Sequence, residues 1–340
     1  MSTIRDVAER AGVAPTTVSR VINSSGYVSA ETRARVETAI AELHYVPNAL
    51  ARSLRSRKTR LLALVLTDIT SPFWTTVARG VEDAASEHGF NVILGNTDES
   101  EDKQIDYVTV LLQKRVDGFL FVPGRSTPES VQLIQRQDVP VVVIDRQIPG
   151  VEVDVVRSDS EKGAYELIRH LLSLGHRRIG MLSGPETIST AVQRVAGYRR
   201  ALAEAGVDAT ADLVRCGWYT QESGYQMTKQ VLSAVPRPTA LFAANCFIAI
   251  GALRALREAV LRVPEDAALV CFDDAPESAT EPFLTIAAQP AYEVGRRATE
   301  LLLARLSGEA PQECQEIVLP VEIVVRQSCG SAQPSLPRQL

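Results

Sequence analysis

Hydrophobic positions recur at two different periods along the 340 residues. In the first 45 they fall three and four apart: Ile4, Val7, Ala8 and Ala11, then Val18, Val21 and Ile22, then Val36, Ala39, Ile40 and Leu43. This is the spacing of amphipathic helices, and it predicts helices over 4–11, 15–23 and 30–43. Local signals agree with these ends. Thr3-Ile4-Arg5-Asp6 has the spacing of a capping box, Gly12 tolerates a left-handed stop, Pro15 suits a first helical position, and Ser29 is a cap. From residue 61 short continuous apolar runs alternate with amphipathic stretches. They predict strands at 61–66, 90–94, 118–122, 139–145, 177–182, 212–216, 239–243, 267–272 and 284–288. Helices are predicted at 73–88, 101–114, 128–137, 160–174, 190–205, 221–233 and 246–260. Strands apolar throughout, rather than at alternate positions, belong to parallel sheets covered on both faces. The expectation is an α/β chain with an all-α head and a body of two doubly wound lobes, whose ligands sit beyond the carboxyl ends of the strands.

The same pattern excludes other classes. The longest apolar runs, such as 61–66 and 139–144, are far shorter than the roughly 20 residues of a membrane helix. The first twenty residues are charged throughout with no apolar core, so a cytoplasmic location and no membrane partner are expected. Five cysteines (Cys216, Cys246, Cys271, Cys314 and Cys329) are odd in number and widely spaced, which suggests buried reduced thiols. Four scattered histidines and the lack of a GxGxxG, GxxxxGK[ST], HExxH or GxSxG motif leave no basis for a catalytic site, a metal or a cofactor.

Charge adds a division that the net value of -5 hides. Residues 1–60 hold ten Lys/Arg against five Asp/Glu, and the other 280 hold 26 against 36. A basic head on an acidic body points to one segment that meets a polyanion. Two short helices joined by a glycine-containing turn, with a third behind, form a helix-turn-helix, whose second helix enters the DNA major groove. The polar face of that helix carries Thr16, Thr17, Ser19, Arg20 and Asn23. Arginine forks onto guanine, and threonine offers a hydroxyl and a methyl to base edges.

The run Ile4-Arg5-Asp6-Val7-Ala8, then Ala11-Gly12-Val13 and Thr17-Val18-Ser19-Arg20-Val21-Ile22-Asn23, resembles the head of LacI/GalR-family transcriptional regulators. His44-Tyr45-Val46-Pro47-Asn48 and Ala51-Arg52-Ser53-Leu54 resemble that family's hinge. The resemblance implies base reading by Pro15, Thr16 and Arg20 and phosphate contacts by Thr17, Ser19 and Asn23, with Thr3, Asn48 and Arg55 also at the DNA. It makes Leu54 a wedge in the minor groove. Two departures stand out. Ala14 replaces a serine before the second helix, which removes a cap worth about 1 kcal/mol. Pro15 has no donor, so it reads bases only by shape or apolar contact.

The body resembles the periplasmic sugar-binding-protein fold that the family shares. By that resemblance the chain divides into a head at 1–46, a hinge helix and linker at 47–60, an effector-binding and dimerisation body at 61–330, and a flexible tail at 331–340. The first lobe takes about 61–158 and 290–319, the second about 159–289 and 320–330. Residues that follow the predicted strands read as a cleft: Phe73 and Trp74 to stack on a sugar ring, and Asp145, Arg146, Arg194, Tyr219, Asn245, Asp273 and Gln289 to meet its hydroxyls. The set resembles that of the ribose-binding member of the fold. Cys246 stands where the family has Asp. The implied protein is a dimeric repressor on palindromic operator DNA, controlled by ribose or a related pentose or sugar derivative. The alternatives are a purine, a sugar acid or a protein corepressor in the effector's place, or a carbohydrate-binding module without DNA function.

Overall fold

The computed structural model describes residues 2–23, 25–46, 59–125, 127–274 and 282–330. The chain divides into two compact units, Met1–Thr59 and Arg60–Leu340.

The first unit holds α1 (Ile4–Ala11), α2 (Pro15–Ile22) and α3 (Ala30–Glu42). The capping box is formed: Thr3 N donates to Asp6 Oδ2 at 2.7 Å, and Asp6 N donates to the Thr3 hydroxyl at 3.3 Å. Gly12 ends α1 at φ 63°, in the left-handed region. Val7, Ala8, Ala11, Val18, Val21, Val36 and Ala39 close one small core. Ala14 caps α2 without a side-chain bond, as its methyl requires.

The second unit has two six-stranded sheets. The first is built from β1 (Leu61–Leu66), β2 (Asn91–Asn96), β3 (Gly118–Phe121), β4 (Val141–Ile144), β5 (Asp154–Ser158) and β11 (Glu316–Leu319). Its spatial order is β11-β5-β4-β3-β1-β2, with every pairing parallel. The second uses β6 (Ile179–Ser183), β7 (Val214–Cys216), β8 (Ala240–Ala243), β9 (Ala268–Phe272), β10 (Thr285–Ala288) and β12 (Glu322–Val324). Its order is β12-β10-β9-β8-β6-β7, parallel except for β10 with β12. Strands β1, β3, β4, β8 and β9 are almost wholly buried, in keeping with their continuous apolar composition. Order reverses beside β1 in one sheet and beside β6 in the other, and crevices open at such switch points.

The covering helices pack unusually closely in three pairs. These are α4 (Pro72–Glu87) with α11 (Ala291–Ser307), α7 (Ser160–Ser173) with α8 (Ser189–Glu204), and α9 (Gln221–Leu232) with α10 (Cys246–Glu258). Each crossing occurs at glycine. A Cβ at Gly80 would lie 2.1 Å from Tyr292 O, at Gly295 2.1 Å from Val77 O, at Gly197 2.1 Å from Glu161 O, and at Gly251 2.0 Å from Gln221 O. Each pair is also clamped by a tyrosine hydroxyl donating to a carboxylate across the crossing: Tyr292 to Asp83, Tyr165 to Glu204 and Tyr225 to Glu258. Repetition of this device in both lobes indicates one packing solution used three times.

Several sequence expectations need correction. Strand β5 was not predicted, because Asp154 and Arg157 interrupt its apolar run. Asp154 is buried by an ion pair instead, accepting from Arg305 Nε at 2.7 Å, Arg305 Nη2 at 2.8 Å and Gln315 N at 2.7 Å. The predicted strand at 212–216 begins only at Val214, since 211–213 form a 3-10 turn. Cys216 and Cys314 are exposed, whereas Cys246, Cys271 and Cys329 are buried. Among the described residues no helix is long and apolar enough to cross a membrane.

Two stability changes are expected. Gly251→Ala forces α9 and α10 apart and lowers unfolding free energy by about 3 kcal/mol, measured by urea denaturation. Ala14→Ser restores the missing cap of α2, where Ala14 already has extended backbone at φ -72° and ψ 149°. It raises the head's stability by about 1 kcal/mol in thermal melts of the full chain.

Candidate functional site

The head presents one polar helix face. Val18 and Val21 point α2 into the core, so Pro15, Thr16, Arg20 and Asn23 are exposed and Thr17 and Ser19 partly so. Thr16, Arg20 and Asn23 are spaced four and three apart and form one stripe. Among the described residues no carboxylate is within ion-pair distance of Arg20, which leaves its fork free for an external acceptor. Ser19 and Asn23 are bonded to one another: Asn23 Nδ2 donates to Ser19 O at 2.7 Å and to Ser19 Oγ at 3.2 Å. The Ser19 hydroxyl hydrogen remains available to a phosphate, whereas the Asn23 amide must first loosen this link. Thr3 is exposed, with its hydroxyl oxygen engaged in the capping box. Asn48, Leu54 and Arg55 lie outside the described residues.

In the body all nine effector candidates line a single cavity of about 670 Å³. It opens at the carboxyl ends of both sheets, so its walls come from both lobes. Phe73 and Trp74 sit at the start of α4, edge to face with ring centroids 4.7 Å apart, and also pack on the first lobe's core. Tyr219 closes against the second lobe. Its ring occupies the space beside Gly184, where a Cβ would lie 2.2 Å from Tyr219 Cζ, so only glycine admits it.

The two aspartates are placed by one backbone device used in both lobes. Asp145 directly follows β4 with φ 65°, and its N–H donates to Val156 O of β5 at 2.8 Å. Asp273 directly follows β9 with φ 61°, and its N–H donates to Ala287 O of β10 at 3.0 Å. Aspartate is among the few residues that adopt this left-handed geometry readily. Burial raises the pKa of Asp145, against the pull of Arg194 and Arg146. Burial also pushes Asp273 up to about 6, with Arg194 and the Gln289 hydrogen bond opposing. Gln289 Nε2 donates to Asp273 Oδ2 at 2.7 Å.

Arg194, from the first turns of α8, is buried between them. Its guanidinium lies 3.9 Å from the Phe272 ring centroid, and Nη1 donates to Ala244 O at 2.6 Å. Asn245 spends its Oδ1 on capping α10, accepting from Ile248 N at 2.9 Å, so its NH2 end is the part left for a ligand. Cys246 is buried at the same edge, and burial, then Asp273, raises its thiol to about 12, so it is present as the neutral thiol.

Arg146 lines the cavity and is also paired within the protein. Its Nη1 donates to Glu99 Oε2 and Pro123 O, both at 2.7 Å, and to Gly124 O at 2.8 Å, while Nη2 donates to Glu99 Oε1 at 2.6 Å. Burial works against the charge on Arg146, and Glu99 outweighs it, so the net shift is upward. The end-on fork of the two terminal nitrogens is thus filled by Glu99, and the Nε–H and the second Nη2 hydrogen are what Arg146 keeps for a ligand. Sequence reasoning missed Glu99, which sits in a run of acids that reads as a helix start and lies 47 positions from its partner. Thr67, Asp68, Thr190 and Thr220 also line the cavity and were missed.

Among the described residues five cavity atoms are buried with no hydrogen-bond partner: Asp145 Oδ1, Gln289 Oε1, Arg146 Nε, Arg194 Nε and Thr67 Oγ1. Two can only accept, two can only donate, and one can do both. Groups that have lost water without gaining a partner mark where a ligand's polar atoms belong.

Because the folded-state pKa of Asp273 lies above its ordinary 3.8, folding favours its protonated form, and stability falls as pH rises from about 4 to 6. Asp273→Asn removes the charged form. It is expected to raise the ligand-free unfolding free energy by about 2 kcal/mol at pH 7.5 and by progressively less as pH falls toward 4. Urea melts at several pH values check this, and a gain independent of pH would sink it.

Comparison with known proteins accords with both halves. Residues 3–48 match the model of bacterial regulatory proteins of the lacI family, and residues 59–321 match that of periplasmic binding proteins and the sugar binding domain of the LacI family. The chain is 37% identical to the HTH-type transcriptional regulator DegA of Bacillus subtilis, covering 96% of this chain and 98% of DegA. It is 35% identical to the HTH-type transcriptional repressor PurR of Pasteurella multocida, over 97% and 99% of the two chains. A lac repressor dimer solved with operator and the anti-inducer ONPF superposes with a TM-score of 0.85 at 30% identity, covering 96% of this chain and 99% of that one. With its helix-turn-helix head and two-lobed, parallel-sheet body, the chain belongs to the LacI family of DNA-binding transcriptional regulators.

Proposed function

We propose that this repressor binds a palindromic operator as a dimer and is controlled by a neutral sugar, a pentose such as ribose foremost, held between the lobes. The observation that carries the sugar is the set of unpartnered cavity atoms. A sugar hydroxyl both donates and accepts, so vicinal hydroxyls satisfy an acceptor such as Asp145 Oδ1 and a donor such as Arg194 Nε together. Among the described residues the lining has five carboxylates, Asp68, Asp98, Glu99, Asp145 and Asp273, against two guanidiniums, Arg146 and Arg194. An anionic effector meets net negative charge there, which disfavours the sugar-acid reading. The aromatic pair Phe73 and Trp74 supplies apolar surface for a sugar ring.

On the DNA side, Arg20 and Thr16 read bases, Pro15 contributes shape, and Thr17, Ser19 and Asn23 fix the head on phosphates. Leu54 wedges the minor groove, and Asn48 and Arg55 also contact the DNA. A sugar that binds one arrangement of the lobes more tightly than the other shifts the population that grips DNA.

The test is a thermal-shift and calorimetry panel of pentoses, hexoses, sugar acids and purines on the full chain, followed by operator titration with and without each binder. A neutral sugar is expected to bind and to change operator affinity. Binding by a purine or a sugar acid alone overturns the sugar assignment. Asp145→Ala is expected to weaken sugar binding at least roughly tenfold while operator binding persists. Leu54→Ala is expected to lower operator affinity roughly tenfold with sugar affinity unchanged, and equal operator affinity removes the wedge.

A further inference from the structure

Glu99 does something at the cavity wall that a sugar site does not by itself require. A buried arginine in a ligand cleft ordinarily presents a positive fork, and a fork recognises carboxylate and phosphate two bonds at a time. Here the fork of Arg146, 3% exposed, is filled from within the protein by the Glu99 carboxylate at 2.6 and 2.7 Å. Two backbone carbonyls of the 123–124 turn take further bonds from Nη1. What Arg146 leaves for a ligand is the Nε–H and the second hydrogen of Nη2, an edge whose positive charge Glu99 already balances.

The position of Glu99 is built. The loop from β2 to α5 (Glu101–Gln113) runs through two consecutive left-handed residues, Asp98 at φ 51° and Glu99 at φ 58°. Such geometry persists only where surrounding contacts enforce it. Asp98 is tied by Asn96 and Lys103, and the Ser100 hydroxyl caps α5. The buried Gln104 joins the same loop to the 123–124 turn, its Oε1 accepting from Gly124 N at 2.7 Å. The carboxylate is therefore held at Arg146 from both sides.

We infer that Glu99 is the charge selector of the cleft. By filling the end-on fork of Arg146 and neutralising its charge it makes the site choose neutral polyhydroxylated ligands over carboxylate or phosphate counterparts of the same size. Glu99 acts through Arg146 as a positioning residue, and Asp145 and Arg194 remain the groups that meet the ligand. This rests on the neutral-sugar reading for its ligand class, and the neutral-to-anion ratio reads what the charge at position 99 adds to that of the other lining carboxylates.

The test compares wild type with Glu99→Gln, Glu99→Ala and Glu99→Asp in the full chain, each first shown to unfold cooperatively. Calorimetry uses pairs that differ in charge: D-ribose and D-ribonate, D-glucose and D-gluconate, adenosine and adenosine 5′-monophosphate. Inorganic phosphate is added separately in thermal melts. Removing the charge in Glu99→Gln or Glu99→Ala is expected to lower the neutral-to-anion affinity ratio at least tenfold. Phosphate is then expected to raise the melting temperature, with no such rise expected for wild type. Glu99→Asp, which keeps the charge, retains most of the wild-type ratio. An unchanged ratio in folded Glu99→Gln and Glu99→Ala, with no new phosphate shift, overturns the inference. If only the nucleoside pair binds, the sugar reading fails while the ratio still decides the role of Glu99. If no organic ligand binds, the phosphate shift decides it.

Discussion

The charge of Arg194 is held out of water, and the organisation of the cavity depends on it. A buried guanidinium needs both hydrogen-bond acceptors and compensating charge. Ala244 O and the face of Phe272 provide for it from the second lobe, and the carboxylates of Asp145 and Asp273 share its field from opposite lobes. Neither aspartate is fully compensated, since burial still raises both. The site is thus poised: its charges are close enough to remain folded, yet its inward atoms lack partners. The proposed polyhydroxylated ligand would complete what folding leaves open, which would link the free energy of binding to the relief of a folding penalty.

Holding these groups at such separations requires lobes that do not yield, and the helix pairs supply that rigidity. Glycine at each crossing lets backbones approach to distances at which any side chain would clash, and a tyrosine-to-carboxylate bond fixes the rotation of one helix on the other. The lobes also repeat smaller details. Thr299 donates to Gly295 O at 2.9 Å in one, and Thr228 donates to Gly224 O at 2.7 Å in the other. Asp145 and Asp273 occupy matching places after matching strands. The cavity is bounded by two copies of one structural idea facing each other, so equivalent residues converge on a ligand from both sides.

Function divides between the units according to charge. The basic surplus lies within residues 1–60, where Arg20 stands on an exposed helix face with no carboxylate within ion-pair distance among the described residues. The acidic surplus lies in the body, where five carboxylates line the cavity. The two parts carry opposite surpluses, and the net value of the whole chain describes neither.

Much of this was legible in the sequence because it is local. Helix periods, caps and apolar strand runs are set by residues a few positions apart, so the three head helices appear within one residue of their predicted ends. The Asp that follows an apolar run marks a strand's carboxyl end in both lobes, and resemblance to a known fold picks out nine residues that line one cavity. Tertiary structure decided what depends on distant partners. Strand β5 is polar in sequence and buried only because Arg305 and Gln315 N meet Asp154. Three helix crossings are glycine-closed, which no single helix reveals. Arg146 carries the same formal charge in any reading of the sequence. Whether that charge faces a ligand or is neutralised is settled by Glu99, because electrostatic compensation depends on distance in space and not on position along the chain.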